Sequence, residues 1–211
     1  MNYKNIISML MSIIMGLNIW FPVNAAININ NEIELPSASE KVQVYKNQET
    51  NEKYAFFNIN DVLIGEEILL YYNENTGEKV SIMIEKKDNS DMQRSYGESS
   101  WSAGWMPSGS YTIKASAVSD TGVEASFKTD VDAYPVRIVA THSPTLTGPL
   151  VSIVNEPNID RINDVAGTNP AEAKMTFSYE YSQAGFSAFY RDGMLKIQIN
   201  ADGQVRTIWD M

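Results

Sequence analysis

The chain has 211 residues, no cysteine and one histidine, and its formal net charge at pH 7 is −10. A chain without cysteine has no disulfide scaffold, no thiol nucleophile and no thiolate ligand for zinc. The acidic surface expected from this charge argues against nucleic acid and anionic membranes as partners, because both repel a negatively charged protein.

The first 25 residues have the pattern of a secretory signal peptide. Lys4 is the only charged residue among them, residues 6–20 are mostly apolar, and small residues precede a cleavage point between Ala25 and Ala26. The apolar run is shorter than the roughly 20 residues that a membrane-spanning helix needs. We therefore expect a secreted, extracellular protein with no stable membrane anchor. Because no cysteine follows the cleavage point, we expect no lipid anchor either.

The first half of the mature chain shows a two-residue period typical of β-strands. Residues 26–40 are rich in asparagine and small residues, and they predict a flexible N-terminal arm or a first edge strand. Runs of β-branched and aromatic residues follow, separated by Asn, Gly and Asp, which predicts strands. These runs are 42–45, 54–59, 67–72 and 79–85. Residues 73–77 end in glycine and predict a hairpin loop between the last two strands.

The second half continues the strand pattern. Runs at 111–118, 123–131, 136–141 and 150–154 predict strands. In the second of these, alternation places Val123, Ala125, Phe127 and Thr129 on one inward face. Residues 119–122 predict a turn. Two prolines and a glycine predict a loop over 142–149, and residues 155–170 predict a long loop with at most one helical turn.

The last 40 residues have the most regular alternation. Met175, Phe177, Tyr179 and Tyr181 share one face of a predicted strand, and strands are also predicted at 186–190, 194–199 and 204–209. Asp-Gly pairs at 192–193 and 202–203 predict the hairpin turns of a C-terminal β-meander. Together, about ten short strands with little or no helix after the signal peptide predict an all-β fold, a single antiparallel β-sandwich over residues 41–211.

The stretch 97–113 concentrates two of the four tryptophans among glycine and serine residues. Two interpretations of Trp101 and Trp105 stay open. A hydrophobic plug at one end of the sandwich is favoured, because large aromatic side chains are mostly buried. An exposed platform is the alternative, and Trp101, Trp105 and Tyr111 would then be the binding residues. Such rings suit the apolar faces of sugars or peptides, so an extracellular glycan or protein is the expected partner.

The single histidine, His142, gives little support for catalysis. One histidine cannot supply a multi-histidine metal site, and a hydrolase triad needs it beside a serine and a carboxylate. Ser143 is its neighbour in sequence, but adjacency along the chain does not place two side chains in catalytic contact. We therefore expect a structural or merely exposed role for His142. Carboxylates are plentiful, and no pair of them is singled out as catalytic.

Asp160, Asn163 and Asp164 are weak calcium candidates. Their oxygens are of the kind that calcium prefers. The segment lacks the loop glycine of an EF-hand, however, and Pro157 interrupts it. We therefore expect no metal and no other cofactor.

Several pieces of the sequence, in their order between residues 50 and 199, form a pattern. They are 54–59, 66–72 with 77–85, Trp105 with 109–113, 173–181 and 192–197. Their order resembles a family of small exported proteins of unknown function from Gram-positive gut bacteria. The N-terminal arm, residues 155–170 and the last strand depart from that pattern. The resemblance implies an exported β-sandwich and brings no catalytic residue.

The leading functional hypothesis is an exported, non-enzymatic β-sandwich that binds an extracellular glycan or protein through exposed aromatic side chains. Two alternatives belong to other classes. One is a secreted bacteriocin-like or toxin effector that acts on neighbouring bacteria, and the other is a hydrolase that uses a pair of carboxylates. The fold class does not choose among them, because β-sandwiches host all three activities.

Overall fold

The computed structural model describes residues 32–62, 64–87, 109–133, 135–182 and 189–211. Over these residues the chain forms twelve strands, one short 3₁₀ helix at Ile59–Asp61 and no α-helix. The strands are β1 (Glu32–Leu35), β2 (Gln43–Asn47), β3 (Lys53–Asn58), β4 (Glu67–Tyr72), β5 (Lys79–Lys86), β6 (Ser110–Val118), β7 (Glu124–Ala133), β8 (Val136–Thr147), β9 (Val151–Asn163), β10 (Ala171–Tyr181), β11 (Phe189–Ile199) and β12 (Gln204–Asp210). None of the described segments forms a helix of the length and hydrophobicity needed to cross a membrane.

The strands form two antiparallel sheets, which confirms the predicted all-β sandwich. The seven-stranded sheet has the order β1-β2-β3-β12-β11-β10-β9, and the five-stranded sheet has the order β4-β5-β6-β7-β8. The predicted C-terminal meander is present as β10, β11 and β12, and β12 also pairs with β3. Residues 32–35 of the predicted N-terminal arm form the edge strand β1.

One hydrophobic core fills the space between the two sheets. Alternation along each strand builds it: Met175, Phe177 and Tyr179 point inward from β10, as predicted, and Ala125 and Phe127 do so from β7. Burial of a large apolar side chain contributes roughly 1.5–3 kcal/mol. Burial of these side chains therefore makes a large contribution to the stability of the fold.

The prediction of a loop over 142–149 is wrong for residues 142–147, which continue β8. Lys128 pairs with His142 but Ser126 pairs with Thr145, so Ser143 and Pro144 form a β-bulge. Proline lacks the N–H of a strand ladder, and it is tolerated at bulges and on edge strands. β8 is the edge strand of its sheet, so the presence of Pro144 is compatible with a strand.

The prediction of a long loop over 155–170 is wrong up to Asn163. β9 continues through this segment as the edge of the seven-stranded sheet, and Pro157 lies at an irregularity between the pairs Thr176–Asn158 and Ser178–Asn155. The segment after β9 then turns to the other sheet. The backbone of Asp164 accepts a hydrogen bond from Ile138 at 2.7 Å, which joins the edges of the two sheets.

The prediction of a hairpin turn at Asp192-Gly193 is also wrong, because β11 runs through both residues without a break. Gly193 pairs with Phe177 of β10. A Cβ built at position 193 would lie 2.2 Å from the Phe177 ring. Glycine is therefore present because the phenyl ring occupies the space of a side chain, and not because the chain turns.

The other predicted turns are confirmed. Gly77, Gly122 and Gly203 close the loops between β4 and β5, β6 and β7, and β11 and β12, and their φ angles are 76°, 78° and 76°. Each donates its backbone N–H to a carbonyl three or four residues earlier, at 2.8–3.1 Å. Glycine adopts this left-handed conformation without the steric penalty of a Cβ.

A buried ion pair joins the two sheets at one end of the sandwich. Glu78, which directly precedes β5, is only 7% exposed. Its carboxylate accepts hydrogen bonds from Lys53 Nζ at 2.6 Å and from Trp209 Nε1 at 3.0 Å. The Trp209 ring in turn packs against Tyr71 of β4, with 5.7 Å between ring centroids. One carboxylate thus connects β3 and β12 of the seven-stranded sheet to the five-stranded sheet.

Candidate functional site

The predicted aromatic site is not assembled by the described residues. Trp101 and Trp105 lie outside them, so the choice between plug and platform stays a prediction. Tyr111 is the second residue of β6, and its side chain is fully buried in the core between the sheets. A ring at that position has no surface for an external ligand, which contradicts the predicted binding role of Tyr111.

A groove of about 480 Å³ lies on the outer face of the seven-stranded sheet. It crosses β9, β10 and β11 and reaches the end of β12. Residues 174, 176 and 178 of β10 line it because they alternate with the inward-pointing core residues of the same strand. Its polar lining includes Asn155, Glu156, Lys174, Ser178, Asp192 and Asp210.

A hydrogen-bonded row crosses the groove from β9 to β11. The Ser178 hydroxyl donates to Asp192 Oδ1 at 2.6 Å, and Asn155 Nδ2 donates to Ser178 Oγ at 3.1 Å. Strand register produces this row, because Ser178 pairs with Asp192 on one side and with Asn155 on the other. The row therefore belongs to the rigid sheet and not to a loop.

Tyr190 extends the row at the start of β11. Its hydroxyl donates to the same Asp192 oxygen at 2.9 Å. The hydrogen bonds from Ser178 and Tyr190 lower the pKa of Asp192 below its usual value. A carboxylate that is held ionised and oriented in this way is a preorganised hydrogen-bond acceptor for a ligand.

One exposed aromatic ring lies next to this row. Tyr190 is 54% exposed and is the second residue of β11, whereas its neighbour Phe189 lies on the opposite face of the strand. The sequence pattern does not single out Tyr190, because the Asp-Gly pair at 192–193 predicts a turn directly after it. With β11 as one continuous strand, the two-residue period places Tyr190, Asp192 and Met194 on a single face, and that signal would have found the site.

A second aromatic cluster lies farther along the same outer face. Tyr45, Tyr54 and Phe56 pack together on β2 and β3, with centroid distances of 5.2–6.3 Å. The Arg206 guanidinium carbon lies 4.1 Å from the Tyr54 ring centroid. Met194 contacts this cluster and also lines the groove. The cluster therefore forms an apolar wall that continues the groove toward β3.

The histidine lies in a different cluster, on the five-stranded sheet. His142 Nδ1 is 3.0 Å from Ser143 Oγ, and His142 Nε2 is 3.3 Å from Asp130 Oδ1. The sequence did not indicate Asp130 as a partner, since twelve residues separate it from the histidine. The pairing of β7 with β8 brings the two together.

The calcium candidates do not converge in the structure. Asn163 donates its side-chain amide to the carbonyl of Pro170 at 2.8 Å, which braces the segment after β9. Asp164 pairs with Arg161 at 3.5 Å, and Asp160 accepts a hydrogen bond from Asn158. Among the described residues, no group of three or more histidine and acidic side chains is arranged to hold a metal ion.

Comparison of the chain with protein-family models, curated proteins and solved structures gives no significant match. The resemblance to an exported family therefore stays a prediction, and the function has to be argued from the geometry of the groove.

Proposed function

We propose that the protein is a secreted β-sandwich that binds an extracellular glycan in the groove on the outer face of the seven-stranded sheet. One observation carries the proposal: the exposed ring of Tyr190 is fixed by its own hydroxyl to Asp192, beside a row of serine and asparagine side chains. A sugar has an apolar face that stacks on an aromatic ring and hydroxyl groups that pair with carboxylates and amides. Both requirements meet at this one place.

The dimensions of the groove agree with this function. Its volume falls within the roughly 300–1,000 Å³ of small-ligand sites, and it is open to solvent along the sheet, which suits a chain that extends beyond the site. A few hydrogen bonds of about 1 kcal/mol each and one stacked ring supply about 4–5 kcal/mol, which corresponds to dissociation constants of about 0.2–1 mM.

The charge of the groove selects among glycans. Glu156, Asp192 and Asp210 line it, with Lys174 as a cationic side chain beside them. The whole chain carries a formal charge of −10. Since like charges repel, neutral oligosaccharides are the preferred partners, and sulfated or uronic-acid polymers are disfavoured.

Secretion is part of the proposal and is supported by the signal-peptide pattern of residues 1–25, the absence of cysteine and the resemblance to an exported family. A protein partner remains the alternative occupant of the same groove. The toxin and carboxylate-hydrolase alternatives gain no specific support from the part of the chain that the structure describes.

Replacement of Tyr190 by alanine is expected to weaken oligosaccharide binding about tenfold, because the stacked ring and its hydroxyl are both lost. Binding is measured by calorimetry on residues 26–211 with neutral oligosaccharides of glucose, N-acetylglucosamine, xylose and mannose. Tyr72→Ala is the matched control, because Tyr72 is 47% exposed but lies on the other sheet. Equal affinities of the two variants would rule out the groove as the site, and failure of the unmodified protein to bind any of these sugars would refute the glycan proposal.

The proposal also predicts the pH dependence of binding. The pKa of Asp192 is lowered in the folded protein, so its carboxylate stays ionised until the pH falls below its usual value of 3.8. The contribution of Asp192 is therefore present at neutral pH and is lost only as the pH falls through that lowered pKa. Asp192→Asn is expected to weaken binding about tenfold at pH 7 and to remove the loss of affinity at low pH. If this variant still loses affinity at low pH as the unmodified protein does, a group other than Asp192 is responsible for the pH dependence.

A further inference from the structure

The geometry points to a second site on the outer face of the five-stranded sheet, where Ser143 is a nucleophile that His142 and Asp130 activate toward small carboxylic esters. The three side chains form one continuous chain of contacts. Ser143 Oγ lies 3.0 Å from His142 Nδ1, and His142 Nε2 lies 3.3 Å from Asp130 Oδ1. A general base has to lie within about 2.6–3.2 Å of the hydroxyl that it deprotonates, and His142 Nδ1 meets this requirement.

The carboxylate of Asp130 selects the tautomer of the histidine. An ionised carboxylate only accepts hydrogen bonds, so the proton of neutral His142 lies on Nε2. The lone pair of Nδ1 then faces the Ser143 hydroxyl. The two ring nitrogens exchange the roles that they have in the serine-protease arrangement, but either nitrogen of imidazole can act as the base.

Asp130 is held in its ionised form by the sheet around it. Its side chain is largely buried, and it pairs with Lys87 Nζ at 2.6 Å and accepts a hydrogen bond from Thr112 Oγ1 at 2.8 Å. Burial by itself raises the pKa of this carboxyl group, but the hydrogen bonds from Lys87, Thr112 and His142 outweigh burial and lower it. Asp130 thus orients the imidazole ring without taking its proton.

Backbone geometry presents the serine to solvent. Ser143 lies in the bulge of the edge strand β8 with a φ of 56°, in the left-handed region that residues other than glycine seldom occupy. Such strained positions are concentrated at functional sites. Directly after the bulge, the hydroxyl groups of Thr145 and Ser126 of β7 form a hydrogen bond at 2.7 Å, which fixes the position of the bulge on the sheet.

The reaction that follows is acyl transfer. Ser143 Oγ attacks the carbonyl carbon of an ester while its proton passes to His142 Nδ1, and the same nitrogen then protonates the departing alkoxide, so that an alcohol leaves. Water, deprotonated by His142, then attacks the acyl-serine. The bond between Ser143 Oγ and the acyl group breaks, His142 returns the proton to Oγ, and the carboxylic acid leaves. Because the bulge is open to water, the expected gain is at the low end of general-base catalysis, about 100-fold. Small activated esters are therefore the substrate class.

The test uses residues 26–211 with p-nitrophenyl acetate and a fluorophosphonate probe, and peptide mass spectrometry locates the modified serine. We expect Ser143 to react about 100-fold faster than Ser152, an exposed serine on β9. Ser143→Ala should abolish this reaction, and His142→Asn should slow modification of Ser143 at least tenfold while the unfolding transition is retained. Ser152→Ala, which removes only the exposed comparison serine on β9, should leave the rate of Ser143 modification unchanged. Equal reactivity of Ser143 and Ser152, or an unchanged rate in His142→Asn, would overturn the proposal.

Discussion

Replacement of Glu78 by alanine is expected to lower the free energy of unfolding by about 3–5 kcal/mol. The carboxylate is almost completely buried and serves two donors, Lys53 and Trp209. Its removal leaves the ammonium group of Lys53, whose side chain is 23% exposed, and the buried indole N–H of Trp209 without their acceptor. The indole then loses a hydrogen bond at a site closed to water. Domains of this size are stable by about 5–15 kcal/mol, so the variant should unfold at a much lower urea concentration.

The Glu78 prediction is checked by urea unfolding followed by tryptophan fluorescence and circular dichroism. Glu74→Ala is the matched control, because Glu74 lies in the same hairpin loop but is exposed, and its loss should change stability by less than about 0.5 kcal/mol. The double variant Lys53→Met/Glu78→Gln removes both charges and keeps an acceptor for Trp209. It should recover much of the lost stability. If Glu78→Ala is no less stable than Glu74→Ala, the ion pair does not hold the sheets together.

Replacement of Gly193 by alanine is expected to destabilise the fold by about 3 kcal/mol, at the upper end of the usual cost of overpacking. The added Cβ would lie 2.2 Å from Cε2 and 2.5 Å from Cζ of Phe177. This ring is 3% exposed and is enclosed between the sheets, where close packing leaves no space for it to move. The cost therefore comes from steric conflict with the ring, in an extended strand that alanine can otherwise adopt.

Thermal and urea unfolding of Gly167→Ala provides the control for Gly193. No atom lies within 4 Å of a Cβ at position 167, so this change should have little effect or should stabilise the protein slightly. In the double variant Phe177→Leu/Gly193→Ala the smaller side chain makes room for the methyl group. Its destabilisation should be less than the sum of the two single changes. If Gly193→Ala is as well tolerated as Gly167→Ala, the phenyl ring does not explain the glycine.

Local sequence signals predicted most strands and turns because the information they need lies within a few residues. The alternation of Met175, Phe177 and Tyr179 identifies the inner face of β10 without any knowledge of its neighbours. The glycines at 77, 122 and 203 mark turns because their left-handed conformation excludes most other residues. Tyr111 shares an alternating face with Ile113 and Ala115, and this pattern indicates burial more strongly than it indicates binding.

The prolines and Gly193 give misleading local signals because their role depends on neighbouring strands. Pro144 and Pro157 are compatible with strands because β8 and β9 are sheet edges with bulges, and edge position is a property of the whole sheet. The pair Asp192-Gly193 is typical of a hairpin turn, but here the ring of Phe177, from the neighbouring strand, occupies the space of a side chain at position 193. A local sequence pattern does not specify which strands are neighbours in the sheet.

The sequence by itself determined the all-β class, the meander, the inner faces of the strands and the acidic, cysteine-free chemistry, because these depend on composition and on periods of two residues. Only the tertiary structure decided which polar side chains meet. Ser178, Asp192 and Asn155 come from three strands, and Asp130 and His142 come from two. Antiparallel register aligns residues that are distant along the chain, and register is set by the packing of the whole sandwich.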